Sequence, residues 1–297
     1  MMKSRLSLKN SARVALNSLI LISLFLFSGC SSVTTPTYNR ENLAQSIQDI
    51  CKKEYNLEVK ARLVGDTLWV YLPVEDLLAK SDKPEKYVEK FVLERTEALP
   101  DSSSLKFEYL IKPIEDREKT QEYKYNKLVL EKINNVWKVL RRVVFSLDRS
   151  KTGEPKFYSL VAADIKNGFA MKEVFYYLDL KKVSYEYISW GEYQHRAIQD
   201  VDLNPQFIGD KEGNYVDYKN ITMREFIMGQ ILHRIKLKFQ KPEVDKNANI
   251  DKEIIKIIAY TTKIYDFKDF DAVELENLVS KNRIILNQAA LLEKTTE

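Results

Sequence analysis

The chain has 297 residues with 47 basic and 43 acidic side chains. Four of the basic residues and none of the acidic ones lie in the first 29 positions, so the rest of the chain is formally neutral. A neutral body lacks the clustered positive charge that binds phosphates, and we expect no nucleic-acid partner. With 44% apolar residues the chain is also too hydrophobic for a disordered spacer.

The amino-terminal segment is predicted to be a secretory signal peptide. Positions 1–13 carry four basic residues, and an apolar run follows over 14–27. This run is shorter than the roughly 20 apolar residues that a membrane-spanning helix needs, and small residues follow it. It ends at Phe27-Ser28-Gly29-Cys30.

These four residues resemble the lipobox of bacterial lipoproteins, which reads Leu, a small residue, Gly or Ala, then Cys. Phe27 departs from the usual Leu, and the other positions match. The resemblance implies that residues 1–29 are removed and that Cys30 receives a diacylglycerol on sulfur, with acylation of the new amino group. More than one acyl chain is needed for stable anchoring. Ser31 after the cysteine implies an outer-membrane location in a cell that has such a membrane.

After a tether over 30–39, hydrophobic spacing predicts the first elements of a globular domain at 40–297. A helix is predicted at 40–54, and alternating residues around Gly65-Asp66 predict a hairpin at 57–75. A helix at 84–98 and a strand at 104–113 follow. Apolar residues in steps of three and four then predict a long amphipathic helix over about 122–147.

The second half of the chain is predicted to alternate strands and helices. Ser189 and Thr222 each precede a glutamate by three residues, the capping-box spacing that begins a helix. The predicted elements are strands at 156–165 and about 170–180, helices at 190–200, 223–238 and 250–265, and a hairpin at 272–286. These elements predict an α+β fold with a mostly antiparallel, hairpin-built sheet and the 122–147 helix packed on one face. A subdivision near 205–222 remains open.

Two segments of the chain have similar patterns. Residues 43–72 and 254–286 both read as a helix, a tyrosine and a hairpin, with Tyr55-Asn56-Leu57 matched by Tyr265-Asp266-Phe267. Either a duplicated αββ unit or a common arrangement arising twice explains this similarity.

The sequence holds no recognisable catalytic or nucleotide-binding motif, and we expect neither a cofactor nor a metal. The only histidines, His195 and His233, have no partner at ligand spacing. Cys51 lies on the apolar face of a predicted helix and is interpreted as a core residue. Two acid pairs, Glu192 with Asp200 and Glu274 with Glu276, are interpreted as surface acids rather than a glycosidase pair.

Aromatic residues crowd the segment 175–193, which contains seven of them. In a strand, Phe175 would face the core and Tyr176 the opposite side. In the following helix, Trp190 and Tyr193 are three residues apart on one side. The segment therefore supplies a candidate binding patch of Tyr176, Trp190 and Tyr193 for a partner protein or glycan. The alternative is that these rings fill the core.

The resulting functional hypothesis is a lipid-anchored envelope protein that binds another envelope component and has no catalytic activity. The body itself resembles only bacterial lipoproteins of uncharacterised function, and only in general style. Two alternatives remain: a hydrolase of envelope polymers with a carboxylate site near the aromatic segment, and a lipoprotein that binds a small ligand or glycan.

The lipobox predicts that Cys30→Ser abolishes lipidation and leaves an unprocessed precursor, because the sulfur that receives the lipid is gone. Globomycin, which blocks the lipoprotein-specific peptidase, should cause a similar accumulation of precursor. Mass spectrometry of the mature amino terminus checks both results. Normal processing under the drug, with no lipid on Cys30, would contradict the assignment.

Overall fold

The computed structural model describes residues 38–99, 101, 103–147, 153–240 and 244–293. Cys30, the signal peptide and most of the tether lie outside these residues. The helices are α1 Leu43–Tyr55, α2 Lys127–Phe145, α3 Tyr177–Ser184, α4 Trp190–Arg196, α5 Met223–Gln240, α6 Ile250–Ile264 and α7 Gln288–Glu293. The strands are β1 Lys60–Val64, β2 Thr67–Val74, β3 Leu78–Leu99, β4 Ser104–Tyr125, β5 Phe157–Asp164, β6 Phe169–Tyr176, β7 Ile198–Leu203, β8 Ala272–Asn277 and β9 Asn282–Asn287. None of these helices is both long and apolar enough to cross a membrane.

A five-stranded sheet with the order β1-β2-β5-β6-β7 forms the centre of the fold. Its β2 and β5 strands are parallel, and its other neighbouring strands are antiparallel. Every residue of β5 is buried, and all but Pro73 of β2 are buried as well. Burial on both faces follows from layers that cover both sides of the sheet.

The alternation of side chains along β2 separates two cores. Leu68, Val70 and Leu72 pack with α1 and α2 on one side of the sheet. Trp69 and Tyr71 point to the other side, where they join a core formed with α5, α6 and the second sheet. The segment near 205–222 contributes Phe207 and Ile221 to this same core.

The second sheet has the order β3-β4-β8-β9 and contains a long hairpin, β3–β4, whose two strands have 22 residues each. At its tip, β4 runs parallel to β8, and β8 pairs with β9 as the predicted hairpin. At its base, Leu78 faces Tyr125 beside the first sheet. The hairpin therefore connects the two sheets.

The α+β class is confirmed, and both sheets are mixed rather than purely hairpin-built. Each sheet contains one parallel pair, which joins strands distant in sequence. Such pairs leave no turn signal in the sequence, because parallel strands need a long crossover connection.

The helix predicted at 84–98 is wrong, because these residues lie within strand β3. Register shifts between Glu89 and Phe91 and between Leu93 and Arg95 interrupt the pairing of β3 with β4. Each irregularity breaks the two-residue alternation of a strand. The apolar residues consequently recur at spacings of three and four, which mimic a helix.

The predicted 122–147 helix is α2, which begins later because β4 continues to Tyr125. Asn126 caps it by accepting a hydrogen bond from the Leu128 amide at 3.0 Å. The buried side of α2 packs in the same core as α1, whereas α5 and α6 pack on the other side of the five-stranded sheet. Helices therefore cover both faces, and the prediction of one helix on one face was incomplete.

The two tyrosine-centred segments share a helix ending. Asn56 and Asp266 both adopt left-handed backbone conformations after their helices, with φ of 53° and 48°. The next amides, of Leu57 and Phe267, both bond back to carbonyls of the last turn, those of Cys51 and Thr262, and only the second segment has the bonds of a Schellman motif. However, the first hairpin joins its sheet through its second strand, β2, and the other through its first strand, β8. The two segments therefore share a left-handed helix ending, and their hairpins are placed differently in the two sheets.

The packing of α2 predicts a large difference between its two faces. Leu140 is 1% exposed, and its replacement by alanine should lower the free energy of unfolding by about 2–5 kcal/mol. The exposed Lys132 is the matched control, and its replacement by alanine should change stability by less than about 0.5 kcal/mol. Urea unfolding of both variants measures the difference, and equal effects would contradict the assigned faces.

Candidate functional site

A cleft of about 530 Å³ lies beside the β6–β7 side of the five-stranded sheet. Its walls come from α2, α4 and α5, and its floor from alternate residues of β6. Because strand residues alternate in direction, Met171, Glu173 and Phe175 face the cleft, whereas Tyr176 packs on the other side of the sheet. This size is typical of a pocket for a small molecule.

Four aromatic rings line the cleft in a continuous series, the aromatic wall of Trp137, Phe175, Tyr193 and Trp190. The centroids of Trp137 and Phe175 are 4.2 Å apart in an edge-to-face arrangement. Phe175 stacks on Tyr193 at 5.4 Å, and Tyr193 lies 5.3 Å from Trp190. Trp190 is 56% exposed, so the wall leads from the interior to solvent. Such rings offer rigid apolar contact area.

Glu173 is the acidic side chain among the residues that line the cleft. One carboxylate oxygen accepts a hydrogen bond from the Trp137 indole at 2.9 Å, and the other from the Gln199 amide at 3.3 Å. In the part of the chain that the structure describes, no ion pair joins Glu173 to a basic residue. Burial raises its pKa to about 6, and the Trp137 hydrogen bond offsets only part of that effect.

Both histidines of the chain also line this cleft. His195 is exposed on α4, and His233 is partly buried on α5. Burial lowers the pKa of His233 to about 4, and the positive charges of Lys236 and Arg234 lower it further. The imidazole of His233 is therefore neutral at pH 7, in the same cleft as a carboxylate with a raised pKa. Perturbed titratable groups in a cleft are a mark of functional sites.

A buried polar network holds α4 in place behind the aromatic wall. Asp179 is 1% exposed and accepts hydrogen bonds from Arg196 and from the Tyr265 hydroxyl, both at 2.8 Å. Arg196 also donates to Glu192 at 2.8 Å, and the Gln230 amide donates to its carbonyl. The network joins α3, α4, α5 and the end of α6, and it fixes the position of Tyr193.

A second hollow of about 470 Å³ adjoins the cleft on the side of α2. It shares Trp137, Arg141 and Trp190 with the cleft, and Glu173 does not line it. Its own charged residues are Lys127, Glu131 and Lys138. The cleft, which contains Glu173, therefore adjoins a hollow whose rim carries three basic side chains, Lys127, Lys138 and Arg141, and one acidic side chain, Glu131.

The structure separates the three residues of the predicted binding patch. Trp190 and Tyr193 meet at the cleft as expected, but Tyr193 is only 5% exposed. Tyr176 is partly buried on the opposite side of the sheet, against Phe157 and Phe226. The geometry of one exposed patch was therefore wrong, because β6 is covered on both faces. The binding roles of Trp190 and Tyr193 stay predictions.

Sequence reasoning missed Glu173, although a signal for it exists. It is an acidic residue between Met171 and Phe175 on the same face of a strand that is otherwise apolar on that side. The convergence of His195 and His233 carries no such signal, because these residues come from different helices brought together by the fold.

The remaining candidates are accounted for by structural contacts. Glu192 pairs with Arg196, and Asp200 with Lys236, so this acid pair is engaged in ion pairs. Cys51 is buried, and burial raises the pKa of its thiol to about 11, which disfavours a reactive thiolate. Within the described ranges, no group of three or more His, Cys, Asp or Glu residues could hold a metal ion.

No protein-family model matches this chain, and neither a curated protein nor a solved structure resembles it significantly.

The raised pKa of Glu173 predicts a pH-dependent effect of Glu173→Gln. Between the usual pKa of 4.5 and about 6, the folded protein holds this proton and the unfolded chain releases it. The carboxyl group therefore lowers stability as pH rises through this range, by up to about 2 kcal/mol. The difference in unfolding free energy between the variant and wild type should therefore increase by this amount, in favour of the variant, from pH 4 to pH 7.

Urea unfolding of the two proteins at several pH values measures this difference. Subtracting the wild-type curve removes the opposite titration of His233, whose lowered pKa makes stability rise with pH between about 4 and 6.5. A difference that is constant across this range would mean that Glu173 has an ordinary pKa.

Proposed function

We propose that this chain is a lipid-anchored envelope protein that binds a small ligand in the cleft between α2, α4 and α5. The observation that carries the binding proposal is the aromatic wall ending at Glu173, in a cleft of about 530 Å³. An apolar, aromatic pocket with a few converging polar groups is typical of small-ligand sites. Anchoring is proposed from the lipobox at Cys30 alone.

The geometry favours a ligand that is partly apolar and partly polar. Phe175 and Tyr193 offer apolar contact at depth, whereas Trp190 is half exposed at the entrance. Glu173 supplies acceptor oxygens inside, because a carboxylate has about four lone-pair sites and two side chains, Trp137 and Gln199, donate to this one. The ligand would lie along the rings and donate hydrogen bonds or charge to the carboxylate.

Binding is favoured over hydrolysis of an envelope polymer by the number of acidic groups. Most glycoside hydrolases need two carboxylates on opposite sides of the scissile bond. Among the described residues, Glu173 is the single acidic side chain that lines the cleft. Its pKa of about 6 would suit a general acid, but these residues place no second carboxylate in the cleft. Glu131 lies in the adjoining hollow and is exposed on α2.

Binding of a small ligand is also favoured over docking of a partner protein at the aromatic segment. A docking surface requires exposed aromatic residues that form one patch. Tyr193 is buried and Tyr176 lies on the other side of the sheet, which leaves Trp190 as the exposed ring of the three. A single exposed ring suits the entrance of a cleft.

The proposal predicts that Trp190→Ala weakens ligand binding by about thirtyfold without lowering stability, because the ring is half exposed yet forms the entrance. Glycan fragments, amino acids and amines are titrated against the purified lipoprotein in detergent, with tryptophan fluorescence as the signal. Tyr187→Ala is the matched control, since Tyr187 is 79% exposed and does not line the cleft. Equal losses in the two variants, or no binding by any compound, would contradict the proposal.

A further inference from the structure

The charge distribution along the cleft indicates what its ligand carries. At the inner end, Glu173 is held by two neutral donors, Trp137 and Gln199, and has no ion pair among the described residues. Glu173 is partly buried, and a carboxylate that loses part of its water is destabilised unless a cation accompanies it. Arg141 also lines the cleft but forms no ion pair with Glu173 in the described part of the chain, so this carboxylate has no cation in contact with it.

The rings around this carboxylate suit an organic cation. Trp137 and Phe175 flank Glu173, and Tyr193 stacks on Phe175. Aromatic faces attract ammonium groups through the ring quadrupole, most strongly where water is excluded. A carboxylate among aromatic rings thus combines the two groups that bind an alkylated ammonium ion.

The outer hollow has the opposite charge preference. Lys127, Lys138 and Arg141 lie on its rim, and Glu131 offsets one of these charges. In the described part of the chain no carboxylate forms an ion pair with Arg141, and Lys138 donates to the neutral Asn135 at 3.0 Å. A simple cation would be repelled at this rim, whereas an anionic group would be stabilised.

We infer that the cleft binds a zwitterion whose organic ammonium head lies against Glu173 and the aromatic wall and whose anionic group lies at the basic rim. This inference rests on the proposed function and names its ligand class. An uncharged glycan would leave Glu173 without a counter-ion, and a simple anion would be repelled by it. The zwitterion complements both ends.

The test uses two probes that differ only in the charge of the head. Phosphocholine carries a trimethylammonium head and a phosphate, and 3,3-dimethylbutyl phosphate has the same shape and phosphate with a neutral head. Affinities are measured by calorimetry with the full-length lipoprotein in detergent. We expect phosphocholine to bind at least thirtyfold more tightly than the neutral-headed probe, and also more tightly than choline, which lacks the anionic group.

Glu173→Gln should remove most of the preference for the charged head, because the amide keeps the size of the side chain and loses its charge. Its fold is checked by its melting temperature, which should not fall, since a buried neutral group carries a smaller desolvation penalty. Glu122→Gln is the matched control, because Glu122 is an exposed acid on β4 that does not line the cleft. This control should change the affinity less than twofold.

The outcomes separate this inference from the proposed function. If the two phosphates bind equally, or if Glu173→Gln retains the preference, the zwitterion assignment is overturned. If glycan fragments bind in the cleft and phosphocholine does not, the proposed function stands and the inference fails. If no compound binds the wild-type protein, both fail.

Discussion

The buried ion pair between Asp179 and Arg196 is the contact on which the arrangement of the cleft depends. It joins two short helices, α3 and α4, that have little apolar surface of their own. The Tyr265 hydroxyl ties the same carboxylate to the end of α6, and Gln230 ties the Arg196 carbonyl to α5. Removing one partner would leave a buried charge uncompensated, which typically costs about 3–5 kcal/mol.

Arg196, one member of this pair, lies on the same helix, α4, as a residue that lines the cleft. Tyr193 lies three residues before Arg196 on α4, so the network that holds the arginine also holds the middle of the aromatic wall. An apolar replacement of such a pair is often neutral for stability. The contacts of this pair fix the orientation of α4, and with it the position of Tyr193 in the cleft.

Glu173 has the opposite character, since it lacks a compensating charge. Its neighbours on the same face, Met171 and Phe175, are both buried apolar residues, and its two hydrogen-bond donors are neutral. This contrast with Asp179, which is paired with Arg196 and Tyr265, is the observation on which the proposed ligand site rests. Natural proteins depart from local packing rules mainly at functional sites.

The sequence by itself determined the elements whose signals are local. The hairpin around Gly65 and the helix begun by Thr222 follow from turn geometry and capping, and the structure confirms both. Residues 84–98 were misread, because irregularities in β3 produce a helical spacing. Only the tertiary structure decided the parallel pairings, the coverage of β6 on both faces, the hydrogen bond between Trp137 and Glu173, and the presence of His233 in the same cleft. These contacts join residues far apart in the chain, and their energy depends on burial and desolvation, which no local pattern encodes.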